Sequence, residues 1–148
     1  MSDLAELHIV GTGRLSPLVS KLKIDGLIYH GSLFDKELQE MYRSCDVFVF
    51  PTEWDAQPTV VVEAVSSGLF TICSDYLKGV FDDFLDSGFL EYVKLSTESL
   101  IESIRVAAAR KYDDFDLREK MHNLVEIKRS QQSEVKEILE FMEYIGKK

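Results

Sequence analysis

Strand-like apolar runs and helical segments alternate five times along the 148 residues of this chain. The pattern predicts strands at residues 6–10, 27–30, 46–50, 69–73 and 90–95. It predicts helices at residues 16–22, 35–44, 80–85 and 97–110, and a largely helical tail at 116–145. Neighbouring parallel strands need a crossover connection, usually a helix, so this alternation is typical of a doubly wound sheet. We therefore expect an α/β fold with about five parallel strands, flanked by helices and followed by C-terminal helices.

Residues 59–65 have two interpretations. Their run of β-branched residues fits a strand by intrinsic propensity. Pro58, however, stands where a helix would begin, and Gly68 stands where it would end. Because a buried helix can overrule propensity, we predict a helix.

Length and composition predict one domain over residues 1–148, because the chain has a common single-domain size and no evident linker or repeat. Cys45 and Cys73 form no CxxC pair and lie in apolar surroundings, so we expect two reduced core thiols. The start of the chain lacks the features of a signal peptide, and no apolar run approaches the ~20 residues that span a bilayer. We expect a cytoplasmic protein without a membrane span.

The net charge of −9 is concentrated in the middle of the chain, where residues 51–100 hold nine acidic and two basic side chains. Affinity for nucleic acid or for anionic membranes depends on Lys and Arg. The acidic excess therefore argues against both as partners. A site in this region would be built from carboxylates.

Gly11 and Gly13 directly follow the first predicted strand, as glycines do in dinucleotide-binding turns. Ser16 replaces the third glycine of that fingerprint, and the second strand ends without an acidic residue. We therefore interpret the glycines as a tight turn, with Ser16 as the N-cap and Pro17 in the first turn of the next helix. The turn still lies at the carboxyl ends of strands, where open α/β sheets bind ligands.

The three histidines lack the spacing of a zinc site, and the sequence contains no evident catalytic triad and no Gly-Lys-Ser/Thr loop. We interpret His8 as a strand residue and His122 as a helix-surface residue. His30 ends the second predicted strand at the ligand-binding edge, so a functional role is weighed beside a structural one.

The most informative pattern lies in residues 51–64. A buried strand ends there, a polar loop follows, and a helix begins near Thr59 with free backbone N–H groups that can bind an anion. Asp55 lies in the loop, and Glu63 follows Thr59 by four positions and shares its helix face. Two carboxylates beside a helix N-terminus suit a ligand with a phosphate and several hydroxyls. The residues alone equally allow a loop-capping Asp55 and a half-exposed Glu63 without a ligand.

The pattern strand-P-T-x-x-D-x-x-P-x-x-x-x-E-A resembles the PSxxE…EA block of the group 1 (family 4) retaining glycosyltransferases, which have the GT-B fold. Four further blocks are similar to that family in order and spacing. They are L-H-I-V-G-T-G at 7–13, Y-H-G-S-L at 29–33, L-x-x-M-Y-x-x-C-D-V-F-V-F-P at 38–51 and S-S-G-L-F-T-I at 66–72. The resemblance covers residues 7–75 and, more loosely, the C-terminal helices.

The resemblance implies a Rossmann-like domain that binds a nucleotide-diphosphate sugar, the donor half of an enzyme of polysaccharide biosynthesis. It assigns Asp55, as the catalytic residue, to the donor sugar and Glu63 to the ribose hydroxyls. It also assigns the amides of Thr59 and Val60 to the diphosphate. The other donor-binding positions are Gln57, Gly11, Gly13, Gly31 and Lys78. The donor is a substrate, and the resemblance implies neither a cofactor nor a metal ion.

Several departures from the family pattern bear on activity. Asp55 is one methylene shorter than the usual glutamate, and Pro58 removes an N–H donor at a frequent glycine position. The sequence also lacks the basic pair that family members bring to the diphosphate, the first strand–helix unit and the N-terminal acceptor domain. We expect the chain alone to bind nucleotide weakly and to be inactive. Its partner would be the acceptor domain or a second copy bound through the apolar stripe at 135–145.

Two other functions are weighed against this interpretation. A non-catalytic interaction domain could retain the fold and lose the chemistry, as the shorter Asp55 and the missing basic pair would allow. A phosphoacceptor receiver domain has a similar size and fold class. It needs paired acids after the first strand, where this chain has Val10-Gly11-Thr12-Gly13, so the sequence argues against it.

Overall fold

The computed structural model describes residues 5–56, 58–109 and 115–129, which fall into two compact units divided between Ser44 and Cys45. Each unit contains a parallel sheet, and the described residues form five strands in total. This confirms the predicted α/β class with parallel sheets flanked by helices. The single domain over residues 1–148 stays a prediction, and the apolar stripe at 135–145 lies outside the described residues.

The first unit contains a two-stranded parallel sheet and two helices. Its elements are β1 (Leu7–Val10), α1 (Ser16–Val19), β2 (Leu27–Gly31) and α2 (Asp35–Ser44). The register pairs Leu7 with Leu27 and shifts after Ile9. Helix α2 has the predicted bounds, and its most buried residue is Tyr42, on the predicted apolar face.

The start of α1 differs from its prediction. Leu15 is the N-cap, and no side chain caps this helix. Ser16 is the first helical residue instead, and its hydroxyl accepts a hydrogen bond from the Gly13 N–H over 2.7 Å. Ser16 was predicted as the cap because of its residue type. In the structure, the Ser16 hydroxyl instead stabilises the turn before the helix, through its hydrogen bond with Gly13.

The second unit contains a three-stranded parallel sheet in the order β3-β4-β5. Its strands are β3 (Val47–Phe50), β4 (Phe70–Ser74) and β5 (Leu90–Val93), and its helices are α3 (Thr59–Ser66), α4 (Thr97–Ala109) and α5 (Phe115–Arg129). Two 3₁₀ helices, Asp75–Leu77 and Asp82–Ser87, lie between β4 and β5. The second of these stands where a short helix at 80–85 was predicted.

Residues 59–66 form a helix, so the helical prediction is confirmed against strand propensity. Val61, Ala64 and Val65 are buried on one face of α3. The helix packs against β4 and α5. Burial of this face stabilises the helix by more than the few tenths of a kcal/mol per residue that β-branching costs.

Strand β4 is the centre of the second unit, and all five of its residues are buried. Its alternate side chains face opposite sides of the sheet. Cys73 joins one core cluster, whose other large members include Phe81, Phe84, Leu77 and Met121. Ile72 joins a second cluster with Phe70, Val93 and Ala107.

Burial raises two pKa values in this core. The pKa of the Cys73 thiol rises from its ordinary value of 9.0 to about 12 because the side chain is buried. Burial likewise raises the pKa of the Tyr92 hydroxyl to about 12, and the nearby Asp82 carboxylate adds to the shift. The Phe81 N–H opposes it by donating a hydrogen bond to the Tyr92 hydroxyl over 3.0 Å.

We expect the protein to lose stability above about pH 9. The unfolded chain ionises the Cys73 thiol near pH 9.0, whereas the folded chain keeps the proton until about pH 12. The contribution of the thiol is therefore constant below pH 9 and falls above it, by up to about 1.4 kcal/mol per pH unit. Urea unfolding at pH 8, 9 and 10 measures this fall. Cys73→Ala should reduce it and Cys45→Ala should not; equal slopes in the two variants would contradict the assignment.

Candidate functional site

The candidate site is the β3–α3 loop, residues 51–58, together with the first turns of α3. The parallel register pairs Phe50 with Cys73, so the segments that follow β3 and β4 leave the same edge of the sheet. Open α/β sheets bind ligands outside this carboxyl edge. Both Asp55 and the start of α3 lie there.

Thr52 and Ser74 fix the position of the loop. The Thr52 hydroxyl donates to the Trp54 carbonyl over 3.0 Å and accepts from the Trp54 N–H over 3.2 Å. The Ser74 hydroxyl, at the fully buried end of β4, donates to the Thr52 carbonyl. The end of β4 therefore holds the loop that follows the neighbouring strand β3.

The residue at the N-cap position of α3 makes no side-chain hydrogen bond to the helix. Pro58 is the N-cap residue, in an extended conformation, and its carbonyl accepts from the Val61 N–H over 3.2 Å. The first amides of a helix have no partner one turn earlier, so the amides of Thr59 and Val60 are directed out of the helix end. This end also has the positive pole of the helix dipole. The arrangement can hold an anion such as a phosphate.

Asp55 and Glu63 lie on either side of this helix end in sequence. Asp55 is half-buried in the loop, while Thr59 and Glu63 are exposed on one face of α3. The buried Val61, Ala64 and Val65 occupy the other face, so the predicted spacing does place Glu63 outward. The roles assigned to Asp55, Thr59, Val60 and Glu63 stay predictions, and Gln57 lies outside the described residues.

Lys78 lies on the segment that follows β4, at the same edge of the sheet as the β3–α3 loop. It is exposed and follows the 3₁₀ helix Asp75–Leu77 directly after β4. Gly79 comes next with a positive φ of 90°, and its N–H donates to the Asp82 carboxylate over 2.9 Å. This turn places a cation on the segment after β4.

Gly11, Gly13 and Gly31 belong to the first unit, where they shape the ends of β1 and β2. Gly11 and Gly31 have positive φ angles of 117° and 69°. The Gly11 N–H donates to the Gly31 carbonyl over 2.6 Å. A side chain at Gly11, Gly13 or Gly31 would meet no neighbour, so conformation rather than close approach favours glycine at Gly11 and Gly31. Their donor-binding role stays a prediction.

A histidine pair, which the sequence did not predict, links the two strands of the first unit. The Nδ1 atom of His8 lies 2.9 Å from Nε2 of His30, and the rings stack with centroids 5.1 Å apart. The other nitrogen of His8 is 3.5 Å from a Glu6 carboxylate oxygen. This contact gives His30 a structural partner across the sheet. The alternation of side chains along a strand places His8 and His30 on one face of adjacent strands. Whether they meet depends on the register of the two strands, which the sequence pattern does not specify.

In the described parts of the chain, no three His, Cys, Asp or Glu side chains converge in a way that could hold a metal ion. No helix in those segments has the length and apolar character needed to cross a membrane.

Comparison with known proteins adds independent findings. Residues 2–109 match the family model of glycosyl transferases group 1. No curated protein sequence matches the chain. Among solved structures, the crystal structure of WaaG, a glycosyltransferase involved in lipopolysaccharide biosynthesis, is similar with a TM-score of 0.66 at 18% sequence identity. The match covers 84% of this chain and 35% of the WaaG chain.

These findings agree with the motifs quoted above. The similarity to WaaG shows a shared fold, and this chain spans about a third of the length of that enzyme. The family match covers more than two thirds of the chain and includes the loop with Asp55 and the whole of α3. The chain therefore belongs to the group 1 glycosyl transferases and forms a glycosyltransferase domain of the GT-B type.

Proposed function

We propose that this chain is the donor-binding half of an enzyme that transfers a sugar, with retention, from a nucleotide-diphosphate sugar. The acceptor would be a saccharide or a lipid-linked acceptor, as in polysaccharide biosynthesis. The observation that supports this most directly is the N-terminus of α3, which begins after Pro58 and lies between Asp55 and Glu63 in sequence. The amides can bind phosphate, and the carboxylates can accept hydrogen bonds from sugar hydroxyls.

Each residue has a distinct role in the proposal. The amides of Thr59 and Val60 hold the diphosphate, Glu63 binds the ribose hydroxyls, and Asp55 contacts the transferred sugar. As the glycosidic bond breaks, negative charge develops on the leaving diphosphate. Amides already fixed by α3 stabilise that charge without reorganising. Further donor contacts would come from Gln57, Gly11, Gly13, Gly31 and Lys78, and the proposal needs neither a metal ion nor a cofactor.

The isolated chain is proposed to bind the donor weakly and to lack transfer activity. It corresponds to 35% of the WaaG chain, and completing an acceptor site would need another domain or a second copy. The proposed compartment is the cytoplasm, since neither Cys45 nor Cys73 forms a disulfide. Robust transfer by the 148-residue chain alone would contradict the proposed inactivity.

Removing the Glu63 carboxylate is expected to weaken nucleotide binding. Glu63→Ala should raise the dissociation constants of UDP, GDP and their sugars roughly 10- to 100-fold, as expected for loss of a hydrogen bond to a charged group. Asp55→Ala should weaken only the nucleotide sugars, because Asp55 is assigned to the sugar. Isothermal titration calorimetry measures both effects.

Glu53→Ala is the matched control for these variants. Glu53 is an exposed carboxylate in the same loop, two residues before Asp55, and matches no functional position of the family. Its replacement removes the same charge and should change affinity less than about 2-fold, since exposed charges at this range are largely screened. Unchanged affinity in both Asp55→Ala and Glu63→Ala would remove the site assignment.

A non-catalytic interaction domain is the alternative function. The shorter side chain of Asp55, in place of the usual glutamate, favours it. Failure of every nucleotide to bind, together with a stable oligomer in solution, would select this alternative.

A further inference from the structure

Two aromatic side chains are exposed on the segments that follow β3 and β4. Trp54 is 86% exposed and Tyr76 is 65% exposed. Phe81 and Phe84, further along the second segment, are fully buried. Aromatic rings contribute a large apolar surface and are usually well covered. The core of this unit therefore excludes these two rings while it packs their neighbours.

The backbone of Trp54 is held by hydrogen bonds, and the backbone of Tyr76 belongs to a 3₁₀ helix. The Thr52 hydroxyl binds both the N–H and the carbonyl of Trp54. Tyr76 is the middle residue of the 3₁₀ helix Asp75–Leu77, between the buried side chains of Ser74 and Leu77. A ligand that stacks on these rings would have to order the side chains but not the loops, which lowers the entropic cost of binding.

Trp54 and Tyr76 lie on two segments that are hydrogen-bonded to each other. The hydrogen bond from the Ser74 hydroxyl to the Thr52 carbonyl joins the two segments. Each aromatic residue lies two positions beyond one of these bonded residues, and two residues span at most ~7 Å. The Cα atoms of Trp54 and Tyr76 are therefore within roughly 20 Å of each other, a span that a short oligosaccharide can cover.

A carboxylate lies next to each ring in sequence. Asp55 follows Trp54, and Asp75 precedes Tyr76. The face of an aromatic ring is negative and attracts the polarised C–H groups on the apolar face of a pyranose. Carboxylates accept hydrogen bonds from hydroxyls at the rim of the same ring. A polyanionic partner would instead meet like charges next to both aromatics.

We propose that Trp54 and Tyr76 form a saccharide-binding surface, on which the apolar face of a pyranose ring stacks. This inference rests on the proposed glycosyltransferase function and adds a saccharide contact that the donor motif does not include. Both the transferred sugar of the donor and the sugar units of an acceptor present such a face.

Trp54 is the single tryptophan of the chain, so intrinsic fluorescence reports directly on this surface. The 148-residue chain is titrated separately with UDP and GDP, with UDP-glucose, UDP-galactose, UDP-N-acetylglucosamine and GDP-mannose, and with gluco- and manno-trisaccharides. We expect the emission to shift to shorter wavelength as a sugar covers the indole. A shift with nucleotide sugars but not with nucleotides identifies the donor sugar, and a shift with free trisaccharides identifies the acceptor.

Variants at Tyr76 test stacking independently of the fluorescent group. Tyr76→Ala should raise the saccharide concentration that gives the half-maximal emission shift roughly 2- to 10-fold, the range of an aromatic stacking contact. Tyr76→Phe should restore it, while Tyr76→Leu, which is apolar but has no ring, should not. Loss in all three variants would indicate a role for the hydroxyl and overturn the stacking proposal.

Two other results would overturn the saccharide surface. One is a shift of equal size with UDP or GDP, since a base rather than a sugar would then cover Trp54. The other is Trp54 emission that does not shift with any of the compounds. Calorimetry with UDP and GDP on the same samples separates this failure from that of the proposed function. If nucleotides bind and Trp54 stays silent, only the surface fails; if no nucleotide binds, the donor site fails.

Discussion

Replacing Phe84 with alanine is expected to lower the free energy of unfolding by about 3–5 kcal/mol. The Phe84 ring has no exposed surface and packs beside Phe81, with ring centroids 6.4 Å apart. It belongs to the cluster that joins α3, α5 and the connection between β4 and β5. Truncation leaves a cavity that a close-packed core fills only in part. Typical domains are stable by about 5–15 kcal/mol, so the variant would be close to unfolding at 37 °C.

Leu85→Ala provides the matched control. Leu85 follows Phe84 in the same 3₁₀ helix but is 37% exposed, so its truncation removes less buried surface and should cost about 1 kcal/mol. Urea unfolding followed by far-ultraviolet circular dichroism compares the two variants. Trp54 fluorescence is a poor probe for this purpose, because the indole is already exposed in the folded chain. Equal losses in both variants would mean that Phe84 is not part of the core that defines global stability.

Local sequence signals predicted the strands and helices well where they agreed with burial. Helix α2 spans Asp35–Ser44 as predicted, and its buried residue, Tyr42, lies on the predicted apolar face. The strand that became β3 was evident because nearly every residue is apolar. Helix α3 shows why boundary residues matter, since Pro58 and Gly68 predicted it correctly while the β-branched residues between them favoured a strand.

Local sequence patterns did not predict contacts between residues that are far apart in the chain. The bond between Ser74 and Thr52 spans 22 positions, and so does the contact between His8 and His30. Each depends on which strands pair and in which register, which hydrophobic periodicity does not specify. The exposure of Trp54 was equally unpredictable, because residue type favours burial whereas the indole is 86% exposed in the structure.

The Cys73 thiol is expected to react at least about 1000-fold more slowly in the folded chain than in the unfolded chain at pH 8. Thiol reagents attack the thiolate, and burial raises the pKa of Cys73 from 9.0 to about 12, which lowers the thiolate fraction about 1000-fold. The side chain is also fully buried at the centre of β4, so direct attack is blocked sterically. Reaction must then proceed through opening of the second unit.

Single-thiol variants separate the two cysteines. Cys45→Ser leaves Cys73 as the only thiol. Cys73→Ser leaves Cys45, which is partly exposed and is the first residue of the second unit. Labelling with an aromatic disulfide is followed at pH 8 with and without urea. Cys45 should react in the folded chain and Cys73 only as urea opens the core. Because the rate at Cys73 follows opening, adding Phe84→Ala should accelerate it by roughly 100- to 1000-fold or more, matching the 3–5 kcal/mol lost. A Cys73 rate that is indifferent to both urea and Phe84→Ala would show that the thiol is reached without unfolding, and that the core around β4 is open in solution.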